Sequence, residues 1–350
     1  GEFERVLQRV DEAGRGLDLP VLPLRVRSDS VDVLYDPGEF YDRLCAMIER
    51  AEHRILLMTL YVGRGPKALR LLRLLEDACE RNPAMEIHVV MDYMRGTRLM
   101  SDRHWKEKAE LKRPRRLRSV DIIQEVMAKF PQNVRLSLYQ APEARTWLKW
   151  ILPHAMVEAF GVQHMKAYAA DDAVIIGGAN LEDNYFDNRL DRYVVLRNAP
   201  TFTEFLWGLG ETFRSFCYDV GPTGDMRFLA PGMDSSEDDR YVPYAREEIV
   251  QFFRGAEDTL RPAGAVEGAD TEVRITFQAG QLGLRQDTPF TGRLFEVLGG
   301  RGWRCFFTSP YFALPPDHED VVYRQEAEVN IVVAAPAANG FFSGRGLFPY

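Results

Sequence analysis

Residues 162–180 read VQHMKAYAADDAVIIGGAN. The first nine alternate as a strand does, which sets His164 and Lys166 on one face, roughly 6.5 Å apart by strand rise. Asp171-Asp172 is a turn pair, and AVIIGG returns as the partner strand of a hairpin. The apolar positions then serve as a rigid frame for two polar side chains on one surface. Asn180 closes the return strand, and Asp191 opens a further strand, DRYVVL. A carboxylate at that point can accept a hydrogen bond from one imidazole nitrogen and so fix which nitrogen faces a substrate.

Outward from the hairpin, one pattern of elements occurs twice. FYDRLCAMI (40–48) spaces its apolar residues as a short amphipathic helix, RILLMTLYVG (54–63) reads as a buried strand, KALRLLRLLEDACERN (67–82) as a helix and MEIHVVMDYMRG (85–96) as a second strand. In FTGRLFEVLGGRGWRCFFTSPYF (290–312) an offset of 250 pairs Leu44 with Leu294, Ile48 with Leu298 and Arg54 with Arg304. A helical stretch near 317–327 and the strand EVNIVVAAPAANG (328–340) complete the second helix–strand–helix–strand set. A repeat this long predicts two similar lobes rather than a solenoid. The expected division is a first lobe at 1–218, a Gly-, Pro- and acid-rich linker at 219–243, and a second lobe at 244–350. Alternating strands and helices predict the α/β class, each lobe a mixed sheet flanked by helices.

Composition narrows the partners. The chain has 350 residues, 46% of them hydrophobic, and a formal net charge of −8, which argues against a general nucleic-acid binder. That average hides a local reversal, because residues 95–118 carry ten Lys or Arg against three acids. The stretch is either a solvated loop or a contact for phosphate or anionic lipid. Cys45, Cys79, Cys217 and Cys305 have neither metal-ligand nor disulfide-framework spacing and read as buried thiols. No clustered His/Cys/Asp/Glu set predicts a metal, and no cofactor is expected. No apolar run is long enough for a membrane span, and the start GEFERVLQRVDEAGRG is not a targeting segment.

Weaker signals surround the hairpin. Arg189 and Arg192 flank Asp191 and suit two-point contact with a phosphate, or a salt-bridged edge. Arg95 and Arg98 follow MEIHVVMDY, at the kind of strand end where α/β sheets bind ligands. RTWLKWILPHAMVEAF (145–160) mixes Trp147 and Trp150 with Lys149, a composition shared by segments in the membrane interface and by packed core helices. The glycines of YVGRGP permit close backbone approach, to a phosphate or within an ordinary turn.

A lone His-x-Lys pair arises often by chance, but the ordered set is specific. His164, Lys166 and Asp171, with GGAN at 177–180, resemble the HKD signature of the phospholipase D superfamily, H-x-K-x4-D followed by G-S-x-N. Gly178 stands where that pattern has serine, which removes one phosphate donor. HMKAYAADDAVIIGGANLEDNYFDNRLDRY, with LYVGRGP (60–66), MDYMRGTR (91–98), SPYF (309–312) and APAANGFF (335–342), is similar to the branch of eukaryotic phosphatidylglycerophosphate synthases. The likeness runs from about residue 30 to the end.

That resemblance implies a phospholipase D-like two-lobe fold and transfer of a phosphatidyl group from CDP-diacylglycerol to glycerol 3-phosphate, with release of CMP, in cardiolipin biosynthesis. It implies His164 as nucleophile through a phosphohistidine, Lys166 and Asn180 as phosphate contacts, and Asp191 as the acid orienting His164; Asp171, the acid of the motif, is read from its place in the hairpin as holder of the turn. Arg98, Arg189, Arg192 and Tyr61 become expected substrate contacts, and Trp147, Lys149 and Trp150 contacts with an anionic membrane surface. The implied location is peripheral, on the mitochondrial inner membrane. The superfamily uses two such motifs, one per lobe, whereas the ordered set occurs once here, and the repeat offset places a second copy beyond Tyr350. The second lobe is therefore expected to be incomplete and this piece alone inactive, with a partner chain as the other source of a second histidine. A hydrolase of the same superfamily and a non-catalytic lipid-binding protein are the competing functions.

Overall fold

The structure is a computed structural model that describes residues 2–100, 117–142, 161–260, 268–300, 302–309 and 314–335. Trp147, Lys149, Trp150 and most of the basic stretch lie outside the described residues. The chain divides into two units: residues 22–275 with 281–283, and residues 1–21 with 276–280 and 284–350.

The larger unit is built on strands β1 (Leu22–Val26), β2 (Val31–Leu34), β3 (Arg54–Met58), β4 (Glu86–Asp92), β5 (Val134–Tyr139), β6 (Ala167–Ala170), β7 (Ala173–Ile176), β8 (Tyr193–Leu196), β9 (Tyr218–Val220), β10 (Met226–Phe228) and β11 (Thr271–Ile275). Nine of them form one sheet in the order β10-β9-β5-β4-β3-β6-β7-β8-β2, while β1 pairs with β11. Strands β3, β4 and β5 run parallel, and β6 is antiparallel to β3, so β6 begins at the edge where the parallel strands end.

Helices α2 (Pro37–Arg50), α3 (Pro66–Arg81) and α5 (Ser119–Lys129) cover one face, and α4 (Tyr93–Thr97) follows β4 directly. Asp36 starts α2 by accepting from the Glu39 amide at 2.9 Å, with Pro37 at its first position. The apolar stripe Phe40, Leu44, Ile48 meets Ile55, Leu57, Ile87 and Val89 in the main core. Strand alternation sends Leu56 and His88 to the other face, against Gly210 of α7 (Pro200–Arg214). There His88, wholly buried, holds Ser137 Oγ at 2.9 Å, with Nδ1 3.4 Å from Glu211. The composition is that of a catalytic triad, yet Ser137 and His88 have no exposure. Burial lowers the pKa of His88, which makes the imidazole a packing element of the sheet face.

Residues 219–243, expected to join two lobes, carry β9 and β10 as an antiparallel extension of the sheet. Tyr218 and Phe228 anchor it with rings 4.8 Å apart. From Tyr241 the chain enters α8 (Tyr241–Leu260), which packs on α7 through Phe205 and Phe252.

In the smaller unit α1 (Glu2–Ala13) packs on α9 (Asp287–Leu298) through Val10, Ala13, Phe290 and Val297, beside a short β12–β13 pair (Gln278–Ala279, Leu284–Arg285). Strand β14 (Arg304–Ser309), helix α10 (Pro316–Tyr323) and strand β15 (Glu328–Val333) then form a parallel βαβ unit. Its register opens with Arg304 against Glu328, as β3–β4 opens with Arg54 against Glu86. The repeat read in the sequence is thus a repeat of structure, down to the pair that starts each parallel ladder.

Candidate active site

His164 and Lys166 do not lie within a strand; β6 starts one residue later, at Ala167. They sit in the segment entering it, beside the ends of the parallel strands. Lys166 is 5% exposed, and its Nζ donates to the His164 carbonyl at 2.8 Å. His164 is exposed as a residue, with part of its imidazole desolvated, while Lys166 is buried.

Asp92 fixes this segment. Its carboxylate, 1% exposed, accepts from the Arg95 amide at 2.8 Å, which caps α4, and from the Gln163 amide at 3.1 Å. One side chain therefore ties the end of β4 to the residue before His164. The short helix brings Arg95 into the site, its guanidinium 4.6 Å from the centre of the Tyr61 ring.

The electrostatics follow from this crowding. Desolvation, then the charges of Lys166 and Arg95, lower the His164 pKa to about 4. The imidazole is accordingly neutral at pH 7. Burial lowers Lys166 to about 7, opposed by Asp191 and reinforced by Arg95. Tyr61 is pushed up to about 12, chiefly by burial, with Glu182 and Tyr185 adding to it.

Asp191 stands closest in its electrostatics to Lys166, and among the described residues no hydrogen bond joins it to His164. Its Oδ1 accepts from the Arg192 amide at 2.7 Å, and a Cβ at Gly178 would collide with Oδ2. A side chain at position 178 would therefore require the Asp191 carboxylate to move. Asn180 is 1% exposed, and its Oδ1 has no hydrogen-bond partner among the described residues. Tyr168 locks the GGAN segment to β6 by donating to the Ala179 carbonyl at 2.5 Å.

Asp171 stands at the far end of β6, roughly 16 Å from Lys166 by strand rise. It adopts φ 47°, and its carboxylate accepts from the amides of Glu52 (2.6 Å), His53 (3.0 Å) and Arg54 (2.9 Å). The position suits Asp, one of the few residues that tolerate the left-handed region.

The arginines separate. Arg189 lies over Tyr185 at 4.3 Å and acts on Tyr61, which keeps it by the site. Arg192 turns onto Tyr35, 5.4 Å from its ring. Arg98 caps the C-terminus of α4 through its backbone amide to Met94. The glycines of YVGRGP admit protein rather than a ligand: Gly63 faces Glu182 and Gly65 faces Asp183. Asp183, which opens α6 (Asp183–Asp187), caps α3 by accepting from Lys67 and Ala68 at 3.2 and 3.0 Å. Sequence reasoning overlooked Asp92 and Gln163; the signal available for Asp92 was an acid between an apolar strand and a short helix.

No protein-family model matches the chain. Its sequence is 27% identical over 362 residues to the mitochondrial CDP-diacylglycerol–glycerol-3-phosphate 3-phosphatidyltransferase of Homo sapiens, covering 92% of this chain and 60% of that protein. The Saccharomyces cerevisiae enzyme of the same name is 26% identical over 336 residues, with 92% and 61% covered. The chain therefore spans about three-fifths of the length of the curated relatives it matches. Among solved structures, the phosphatidylserine synthase of Haemophilus influenzae aligns with a TM-score of 0.61 at 18% identity, covering 97% of this chain and 68% of that one. The chain is similar in sequence to proteins named CDP-diacylglycerol–glycerol-3-phosphate 3-phosphatidyltransferase, and its fold is a mixed α/β sheet with flanking helices, as the resemblance implied.

Proposed function

We propose that the protein transfers a phosphatidyl group from CDP-diacylglycerol to glycerol 3-phosphate, releasing CMP. The observation that carries this reading is a neutral, exposed imidazole at His164 with two cations, Lys166 and Arg95, beside it. A nitrogen of His164 attacks the phosphatidyl phosphorus; the P–N bond forms as the P–O bond to CMP breaks. The glycerol 3-phosphate hydroxyl oxygen then attacks that phosphorus and returns the imidazole, its proton passing to a general base. Lys166 and Arg95 stabilise the charge gathering on the non-bridging oxygens. Asn180, buried with an unpartnered amide oxygen, donates through Nδ2 to the same phosphate or accepts through Oδ1 from the incoming hydroxyl. Asp191 supports this arrangement by favouring the charged form of Lys166 against the effect of burial.

The division into two lobes belongs to this proposal, with the β14–α10–β15 unit as the opening of the second. By analogy with the mitochondrial relatives the protein works in the mitochondrion; its place at the inner membrane, bound peripherally, follows the resemblance read in the sequence. No described helix is long and apolar enough to cross a membrane.

Purified full-length protein supplied with CDP-diacylglycerol, with and without glycerol 3-phosphate, tests the activity. Phosphatidylglycerophosphate as the product supports transfer; phosphatidic acid whether or not the acceptor is present would make the protein a hydrolase. In the same assay kcat/KM is expected to fall above about pH 7, where free Lys166 loses its proton, and below about pH 4, where His164 gains one. A profile that stays level from pH 7 to 9 would contradict the role of Lys166.

A further inference from the structure

One row of side chains crosses the edge of the nine-stranded sheet beside the site. Ile176 of β7, Val194 of β8 and Val33 of β2 are direct cross-strand neighbours. Their opposite-face neighbours Ile175, Val195 and Leu34 are buried in the main core. The row itself is open, with Ile176 37% and Val33 41% exposed. Tyr35 (61%) and Leu190 (84%) continue it on the adjoining loops. Two residues further along the strands, Val174 and Leu196 are wholly covered. The exposed apolar surface is thus confined to one end of the sheet.

That end is the site's own rim. Ile176 precedes Gly177, whose amide meets the Lys166 carbonyl at 3.4 Å, and Leu190 precedes Asp191. Cations border the patch: Arg192 lies over Tyr35, and Arg189 over Tyr185. The acids nearby are engaged, Asp187 with Lys67 at 2.7 Å, Asp32 with Arg43 and Arg197, and Asp36 at the cap of α2. An apolar strip with an aromatic and arginines at its margin has the composition of a surface that enters the headgroup layer of a membrane.

We propose that Val33, Tyr35, Ile176 and Leu190 insert into the surface of a bilayer containing anionic phospholipid, with Arg189 and Arg192 meeting its phosphates. The choice of partner rests on the lipid substrate proposed above. A phosphodiester held in the headgroup layer is reached without extraction only if the rim beside His164 and Lys166 meets that layer. Leu190 is the leading residue, since it is the most exposed and the nearest in sequence to Asp191.

The test is flotation of the full-length protein with vesicles of phosphatidylcholine, alone or mixed with phosphatidylglycerol, in the absence of CDP-diacylglycerol. The unaltered protein is expected to float with the mixed vesicles. Leu190→Asp with Tyr35→Ser should weaken that binding by about tenfold or more, the effect of losing one buried leucine and inserting a charge. Both side chains face solvent, so thermal melting should be unchanged. Phe306→Ser, a change at an exposed residue of the other unit, should leave flotation intact. Arg192→Gln should weaken binding only to the mixed vesicles. Equal flotation of the double variant, or none by the unaltered protein, would overturn the proposal. So would a dimer of the unaltered protein that the double variant dissociates, since the patch would then be an interface between copies. Protection of His164 from diethylpyrocarbonate by CDP-diacylglycerol in detergent reports on the site separately, and its persistence would show that only the membrane contact had failed.

Discussion

His164→Ala in the full-length protein is expected to lower CMP release by on the order of 10^4-fold or more, the scale seen when a covalent nucleophile is removed. Stability should change by no more than about 0.5 kcal/mol, because the side chain is exposed and makes no hydrogen bond among the described residues. Lys166→Met should be milder in rate, roughly 10^2- to 10^3-fold, since it removes charge stabilisation and leaves the nucleophile. Comparing melting curves with turnover separates the two roles. A His164→Ala protein that keeps most of its turnover would remove this histidine from the chemistry.

Asp171→Ala is expected to show the reverse pattern. Three backbone amides lose their carboxylate acceptor, and alanine is placed at φ 47°. Part of the loss is recovered by water at the exposed amides of Glu52 and His53, so the expected destabilisation is about 2–3 kcal/mol. For a domain of this size that corresponds to a melting temperature roughly 5–10 °C lower. Turnover per folded molecule should remain within about tenfold of the unaltered protein, because the carboxylate lies at the other end of β6 from Lys166. Asn at this position should fall between the two, as it tolerates the left-handed region and keeps an acceptor oxygen. Loss of turnover with an unchanged melting curve would place Asp171 in the chemistry instead.

This contrast marks how far the sequence could be read. The hairpin of β6 and β7 and the repeated βαβ pattern were legible because they are set by local rules: alternation, a turn pair, and helix and strand periods. The assignment of Asp171 to the turn was legible for the same reason. The partner of Asp191 was not, because it depends on how Gly178 and Lys166 meet that carboxylate across two strands. The strand is shorter than the pattern VQHMKA suggests, because the regular ladder with β7 begins at Ala167. Asp92 went unread since its effect, fixing Gln163 from 71 residues away, exists only once the sheet is assembled. The glycines of YVGRGP are of the same kind: their need for hydrogen side chains comes from Glu182 and Asp183, which nothing local announces.

The central claim is that the neutral imidazole of His164 takes the phosphatidyl group before the acceptor does. Its most direct test is to mix full-length protein with CDP-diacylglycerol in the absence of glycerol 3-phosphate, quench at alkaline pH, digest, and locate the adduct by mass spectrometry. The expected result is a phosphatidyl group on His164, lost when glycerol 3-phosphate is added before the quench. CMP formed in a burst with His164 unmodified, or an adduct on any other residue, would contradict it.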